Sequence, residues 1–252
     1  MDYIFLIQAR LNSTRFPRKI LQSVKNDMSL LDMVYKRVLL SKRAHKNNTV
    51  FLIPKSNYEL KKYLTLKNYN FYCGSENNVF LRFQNYLKSD TEKYDYFVRI
   101  CSDNPFIEPQ FIDTLTEIID NDTRLYDYVS YYDFKSAKPA ILTHYGLFVE
   151  FVNYHSFLSL NEKKLTKSEK EHVTPMFYSA GSHDNLFYPI PDDLLSYNFR
   201  FTVDTQEDLT VIRSILSKVQ GNDFSYKDIL KIVSNEDKLV DKMAQNIKSN
   251  AK

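Results

Sequence analysis

The sequence predicts an α/β fold of three layers, with helices on both faces of a mostly parallel central sheet. Three observations lead there. Short apolar runs of strand length alternate with helical patterns of about 10–15 residues, as in βαβ units with right-handed crossovers. The runs YIFLI (3–7), TVFLI (49–53) and YFVRI (96–100) are almost continuously apolar, as in strands covered on both faces. The chain has 252 residues, 43% hydrophobic and 26% charged, enough for one full core.

Taken in order, the first strand at 3–7 runs straight into a polar, basic loop, 8–19. Ser29 then caps a helix with Leu30, Leu31, Val34 and Val38 on one face. The second strand, 49–53, precedes a helix over 56–66, and the third, 69–73, precedes one over 76–87. After the fourth strand, 96–100, Pro109 suits the first position of a helix carrying Phe111, Ile112, Leu115 and Ile119. The rhythm breaks between 125 and 196. Tyrosine-rich pieces at 126–132 and 147–152 read as strands, partly antiparallel, around a helical region near 168–178. It resumes with a strand at 199–203 and a helix after Thr205, whose hydroxyl suits a cap. Residues 1–235 are expected to form a single domain with 125–198 as an insert, and 236–252 a polar tail that frays unless Leu239 and Met243 dock it.

Composition narrows the function. A net charge of +3 is too small to imply a nucleic-acid partner. No stretch approaches the roughly 20 apolar residues of a membrane span, and the N-terminal run is too short and lacks the basic lead of a signal peptide, so a cytoplasmic location is expected. Cys73 and Cys101 fit reduced thiols. With four glycines in the chain, Gly74, Gly146 and Gly181 are expected where backbone geometry demands them.

Ligands of open parallel sheets bind beyond the carboxyl ends of the strands. The loop after the first strand, QARLNSTRFPRK (8–19), carries four cations, Arg10, Arg15, Arg18 and Lys19, and contains no glycine, so it is neither a Walker A loop nor GxGxxG. Its backbone N–H groups and cations suit phosphate oxygens. Three further blocks follow strands: GSENNVFLRF (74–83), RICSDNPFI (99–107) and FTVDTQEDL (201–209). Asp103 and Asp204 each stand at the end of an apolar run, where two carboxylates can converge on one cation.

These blocks together resemble the SpsF-like cytidylyltransferases of spore-coat polysaccharide type and, more distantly, CMP-Kdo and CMP-sialic acid synthetases. QARLNSTRFPRKIL (8–21) is similar to the family's QARMGSTRLPGKVL, 74–83 to GSEDDVLDRY, 99–107 to RITGDCPLID, and 203–209 to VDTPEDL. A weaker pair, YGLFVE (145–150) and KEHVTPMF (170–177), resembles G-x-D-x-E and REHVTPYF. The resemblance implies a nucleotide-diphospho-sugar transferase (GT-A-like) fold and transfer of CMP from CTP to an acidic sugar or phosphorylated small acceptor, with release of pyrophosphate. It implies that Gln8, Ala9, Arg10, Asn12, Ser13, Arg15 and Lys19 handle the triphosphate, with Arg10 and Lys19 catalytic. Gly74, Ser75, Asn77, Arg82 and Ser102 are implied at the nucleotide, Glu150 and His172 at the acceptor, and Asp103 and Asp204 as catalytic ligands of Mg²⁺. A homodimer through the irregular middle segment is also implied.

The chain departs from the family at Asn12 and Arg18, where glycine is usual, and at Phe148, where a polar residue is usual. Asn12 is expected to tolerate a positive φ. Lys19 is expected in a solvated loop, and the two aspartates, facing each other without an ion, are expected to repel. A GT-A glycosyltransferase would need an Asp-x-Asp motif after a strand, and the nearest pair, Asp192-Asp193, has no strand before it. A catalytically silent nucleotide-binding subunit is the other alternative, disfavoured by Lys19, Asp103 and Asp204.

Overall fold

The computed structural model describes residues 1–179, 181–195, 198–221 and 223–250. In chain order its strands are β1 (Tyr3–Gln8), β2 (Ser23–Lys25), β3 (Met28–Ser29), β4 (Thr49–Pro54), β5 (Phe71–Gly74), β6 (Tyr96–Cys101), β7 (Tyr128–Asp133), β8 (Lys138–Pro139), β9 (Glu150–Asn153) and β10 (Asn185–Pro189). Its α-helices are α1 (Leu30–Val38), α2 (Tyr58–Leu66), α3 (Val79–Ser89), α4 (Pro109–Asn121), α5 (Tyr154–Ser159), α6 (Lys167–His172), α7 (Pro175–Ser179), α8 (Asp192–Leu195), α9 (Gln206–Leu216), α10 (Tyr226–Ser234) and α11 (Asp237–Asn250). Among the described residues no helix is long and apolar enough to cross a membrane.

The main sheet runs β10-β7-β9-β6-β1-β4-β5, with β8 added to β7. β1 pairs in parallel with β4 and β6, β4 with β5, and β7 with β10, so the sheet is mostly parallel as expected; β9 and the short β8 run against the rest. In the register, Gln8 is level with both Leu52 and Cys101, so the loops leaving β1 and β6 open at one edge.

Alternation along β1 makes the three layers, because successive side chains leave a strand on opposite faces. Phe5 and Ile7 join a core with Met33 and Val34 of α1, Ile112 and Leu115 of α4, and Ile212 of α9. Ile4 and Leu6 join the opposite core with Phe80 and Phe83 of α3, Phe157 of α5 and Phe177 of α7. Much of the chain's aromatic content goes into ring contacts here, such as Phe80 to Phe157 at 4.6 Å and Phe97 to Phe157 at 4.8 Å between centroids. Phe148, which stands where the family has a polar residue, stacks on Phe111 with ring planes 6° apart and serves the core.

The caps follow from local chemistry. Ser29 and Asp32 form a capping box on α1, Thr205 and Asp208 one on α9, and Pro109 opens α4. The helix after β5 begins later than the sequence suggests. Asn78, not Ser75 or Glu76, caps α3 by accepting from the Leu81 N–H. The helical region near 168–178 is two short helices, separated where Val173 takes φ 71°. A hairpin of β2 and β3, with Asn26 and Asp27 at positive φ in its turn, escaped the sequence reading.

One expectation is corrected. The run 199–203 is not a strand of the sheet: Phe201 gives its N–H to the His144 carbonyl at 3.0 Å and Val203 to the Asp103 carbonyl at 2.9 Å, both in loops. The C-terminal stretch takes the docked alternative: α11 runs over 237–250 and buries Leu239 and Met243, and 251–252 lie outside the described residues.

Asp32 ties α1 to its neighbours. Its carboxylate accepts from the Ser29 N–H (3.1 Å), Tyr63 Oη (2.7 Å), Tyr69 Oη (3.1 Å) and Lys67 Nζ (3.0 Å). Burial works against its charge, but Tyr63, Lys67 and the Ser29 N–H outweigh burial and hold the carboxyl below its ordinary range. A carboxyl lowered on folding adds stability above its unfolded pKa of about 4 and loses it as pH falls through the lower folded value. Asp32→Ala should therefore cost about 3 kcal/mol at neutral pH, because a buried charge network loses its centre. Urea denaturation of both proteins should show the gap narrowing below about pH 4; a gap that holds constant through acid would contradict this account.

Candidate active site

The loops at the carboxyl edge enclose a cavity of about 750 Å³, ample for a nucleotide. The loop after β1 is shaped by its own backbone. Ser13 and Arg18 both donate N–H bonds to the Leu11 carbonyl, at 2.9 and 2.8 Å, and the Leu11 side chain is buried beneath. The glycine requirement falls at one of the two departing positions only. Arg18 sits in the left-handed region, φ 59° and ψ 18°, a conformation costing an L-residue about 1–2 kcal/mol. Asn12 is not at positive φ and needs no such tolerance. The Arg18 guanidinium reaches Glu59 of α2 and does not line the cavity.

Left-handed Arg18 turns the chain so that Lys19 points inward, its side chain only 9% exposed. Its ammonium donates to Asp103 Oδ2 at 2.9 Å, the Val203 carbonyl at 2.7 Å and Asp204 Oδ1 at 3.1 Å. Burial disfavours the charge, but Asp103 and Asp204 outweigh burial and raise the lysine above its ordinary pKa. The two aspartates thus converge as the sequence suggested, and two further expectations fail. Lys19 is not in a solvated loop, and the carboxylates do not repel unopposed, because a cation lies between them. Arg15 (3.1 Å) and Arg200 (3.0 Å) add to it at Asp204. Burial opposes the charge of Asp204, and Lys19, Arg15 and Arg200 together hold its carboxyl below the ordinary range.

Convergence depends on backbone approach. The Val203–Asp103 hydrogen bond draws segment 199–203 against the loop after β6, and Gly146 lets it pass. Gly146 has φ +62°, and a Cβ there would lie 3.0 Å from the Thr202 nitrogen. Gly74 is needed for a different reason: a Cβ would meet Arg82 Cγ at 2.5 Å. Arg82, 1% exposed, donates to the carbonyls of Ser75 (2.8 and 2.9 Å) and Glu76 (3.1 Å), and burial lowers its pKa to about 10. It lines the cavity and also shapes the loop after β5.

Of the residues singled out from the sequence, Gln8, Ala9, Arg10, Ser13, Arg15, Lys19, Arg82, Ser102, Asp103, His172 and Asp204 line this cavity. Asn12, Gly74, Ser75, Asn77 and Glu150 do not. Glu150 is fully buried; its carboxylate accepts from Arg99, from Tyr128 Oη at 2.6 Å and from Thr174 Oγ1 at 2.8 Å. It reaches the cavity only through Arg99, whose Nε also donates to Gln8 Oε1 at 3.1 Å. Arg10 pairs with Glu171 of α6 at 3.1 Å, across the mouth from the loop after β1 to α6. Sequence reading missed Arg99, His144, Tyr178 and Arg200 as lining residues. Arg99 lay inside a recognised block, and Arg200 stands one helical turn's spacing before Asp204, but neither spacing says that the side chain turns inward.

The donor set suits a hard divalent cation. Two carboxylate oxygens and a carbonyl, the oxygen donors a hard cation prefers, meet here around the Lys19 ammonium. Among the described residues no group of three or more His, Cys, Asp or Glu side chains could hold a metal. An ion here would complete its shell with phosphate oxygens and water, the usual arrangement for Mg²⁺.

A cation-lined crevice at the carboxyl edge of a mostly parallel sheet, with paired aspartates at its floor, suits the phosphates of a nucleotide, and the family match makes the class that of the nucleotidyltransferases. The family described as Cytidylyltransferase matches residues 4–239, and the chain belongs to it. The chain is 26% identical over 245 residues to the spore coat polysaccharide biosynthesis protein SpsF of Bacillus subtilis (strain 168), covering 92% of this chain and 94% of that protein. Its fold resembles a cytidylyltransferase from Leptospira borgpetersenii serovar Hardjo-bovis, with TM-score 0.81 and 24% identity over 95% of this chain and 97% of that one. It also resembles a CMP:2-keto-3-deoxy-manno-octonic acid synthetase complexed with CTP, with TM-score 0.63 and 13% identity over 86% and 99% of the two chains.

Lys19→Met should lower stability by about 2 kcal/mol, because it leaves two partly exposed carboxylates without the cation between them. Adding Asp103→Asn to that variant should recover part of the loss. Denaturation of the three proteins in metal-free buffer checks both statements; a Lys19→Met protein as stable as the parent would show that the ammonium contributes nothing.

Proposed function

We propose that the protein transfers CMP from CTP to an acidic sugar or related small acceptor, releasing pyrophosphate, in the synthesis of a surface polysaccharide or glycoconjugate. The observation that carries this reading is the Lys19–Asp103–Asp204 cluster, placed beside the cation-rich loop after β1. Family membership supports cytidine as the base. The name of the Bacillus subtilis relative supports the polysaccharide context, and that of the octonic acid synthetase supports an acidic acceptor.

Arg10, Arg15 and Ser13 would hold and neutralise the triphosphate, and Lys19 would lie at the reacting end of the same loop. Arg99 and His172 line the cavity and offer cationic or hydrogen-bonding groups to an anionic acceptor. With both substrates held, an acceptor oxygen attacks the α-phosphorus in line. The new P–O bond forms as the bond to pyrophosphate breaks, and no covalent intermediate on the chain is required. Asp103 and Asp204 would hold Mg²⁺, which supplies charge neutralisation at phosphate and assists loss of the acceptor proton. A glycosyltransferase reading is disfavoured because Asp192 and Asp193 lie on α8 and do not line the cavity.

CTP should stabilise the protein in thermal-shift titrations more than ATP, GTP or UTP, since a site that hydrogen-bonds one base edge leaves polar groups unpaired with another. Equal shifts with all four would refute cytidylyl transfer while leaving nucleotidyl transfer standing. Pyrophosphate release with a panel of sugar acids then identifies the acceptor class. In a double-mutant cycle, Asp103→Asn and Asp204→Asn should each sharply reduce turnover, with the double variant scarcely worse than the poorer single one, because both act on one ion. Multiplicative losses with unchanged Mg²⁺ dependence would rule out a shared ion.

A further inference from the structure

Asp204 is held from behind as well as from the cavity. Its Oδ1 faces Lys19 and Arg15, while its Oδ2 accepts from Arg200 Nη2 at 3.0 Å. The Arg200 side chain is 2% exposed. It donates to Asp208 Oδ1 at 2.8 Å, Asp208 Oδ2 at 3.1 Å and His144 Nδ1 at 2.9 Å. A guanidinium can only donate, so His144 accepts at Nδ1. Asp208 is loaded in turn: Oδ2 accepts the N–H groups of Asp204 (2.9 Å) and Thr205 (3.0 Å), and Oδ1 accepts from Asn246 Nδ2 at 3.0 Å. Asn246 belongs to α11, whose Met243 sulfur also accepts the Arg200 N–H at 3.5 Å. A relay of buried hydrogen bonds therefore runs from the C-terminal helix through Asp208 and Arg200 to Asp204. Met243 and Asn246 lie beyond residue 239, where the family match ends.

We propose that Arg200 is a positioning residue that fixes the Asp204 carboxylate, and that α11 is part of the ion site's support because Asn246, acting through Asp208, fixes Arg200. The inference rests on the reading of Asp103 and Asp204 as ion ligands. With Oδ2 tied to a buried guanidinium, Asp204 cannot rotate and presents Oδ1 toward the position of the Lys19 ammonium. Supports of this kind, one bond removed from a ligand, set metal affinity without touching the metal. Asp208 cannot hold Arg200 as firmly without Asn246, because one of its oxygens then loses a buried donor.

The test uses the full-length chain with bound CTP and no acceptor, titrated with Mn²⁺ and followed by water-proton relaxation, with CTP alone as the blank. Asn246→Leu keeps the branched shape of the side chain and removes the donor, and Arg200→Lys keeps the charge and removes the fork. Leu239→Ala loosens the docking of α11 at its other end without touching the relay, and serves as the control for a loosened helix. Thermal melts establish that each variant is folded at the titration temperature. Arg200→Lys should weaken Mn²⁺ binding roughly tenfold and Asn246→Leu about three- to tenfold, while Leu239→Ala binds as the parent does. Parent-like Mn²⁺ affinity in Asn246→Leu would overturn the inference, as would equal weakening in Leu239→Ala, which would reduce α11 to a general stabiliser. Absence of any protein-dependent relaxation with the parent chain would instead refute the ion site, and the inference with it.

Discussion

The ammonium of Lys19 meets three distant parts of the chain at once, and the geometry of the cavity depends on that meeting. Its three donors go to Asp103 after β6, to the Val203 carbonyl and to Asp204 before α9. None of the three acceptors belongs to its own loop. A buried ammonium is tolerated only where its charge is balanced and its protons are all bonded, so the loop after β1, the loop after β6 and segment 199–205 are held in one arrangement. The parallel register of β1 and β6 brings two of them level. The Val203–Asp103 backbone bond and the open face of Gly146 bring in the third.

The surrounding fold accommodates this cluster with few glycines. The chain keeps Arg18, not a glycine, in a left-handed conformation, and the Leu11 carbonyl and buried side chain hold the turn in place. Bulk that a smaller residue would leave open is filled by aromatic rings, Phe148 on Phe111 among them. The cost of local strain is offset by packing in the layers beneath, the usual relation between a strained site and a well-packed scaffold. Charged groups close to the cavity are likewise backed by buried partners: Arg99 by Glu150, Arg200 by Asp208. Two of the charged side chains that line the cavity are thus oriented from behind.

Much of this arrangement was legible in advance. The order of strands and helices follows from apolar periodicity, and Ser29, Pro109 and Thr205 announce their helices by local hydrogen-bonding chemistry that needs no tertiary contact. Contiguous blocks at the strand ends located the cavity, because in a parallel sheet the loops after strands must share one edge. Errors arose where a local pattern served a non-local end. Segment 199–203 alternates like a strand, with Phe199, Phe201 and Val203 buried, yet the N–H groups of Phe201 and Val203 pair with loops. Glu150 looked like an acceptor ligand but is enclosed by Arg99, Tyr128 and Thr174.

The α/β class, the succession of elements and the ionisable groups at the strand ends can all be read in neighbouring residues. Only the tertiary structure decided which of those groups meet. Lys19 and Asp204 are 185 positions apart, and Asn246 acts on Asp208 across 38. Whether a charge is solvated or caged depends on what the rest of the chain packs around it, and periodicity within a window of a dozen residues carries no record of that.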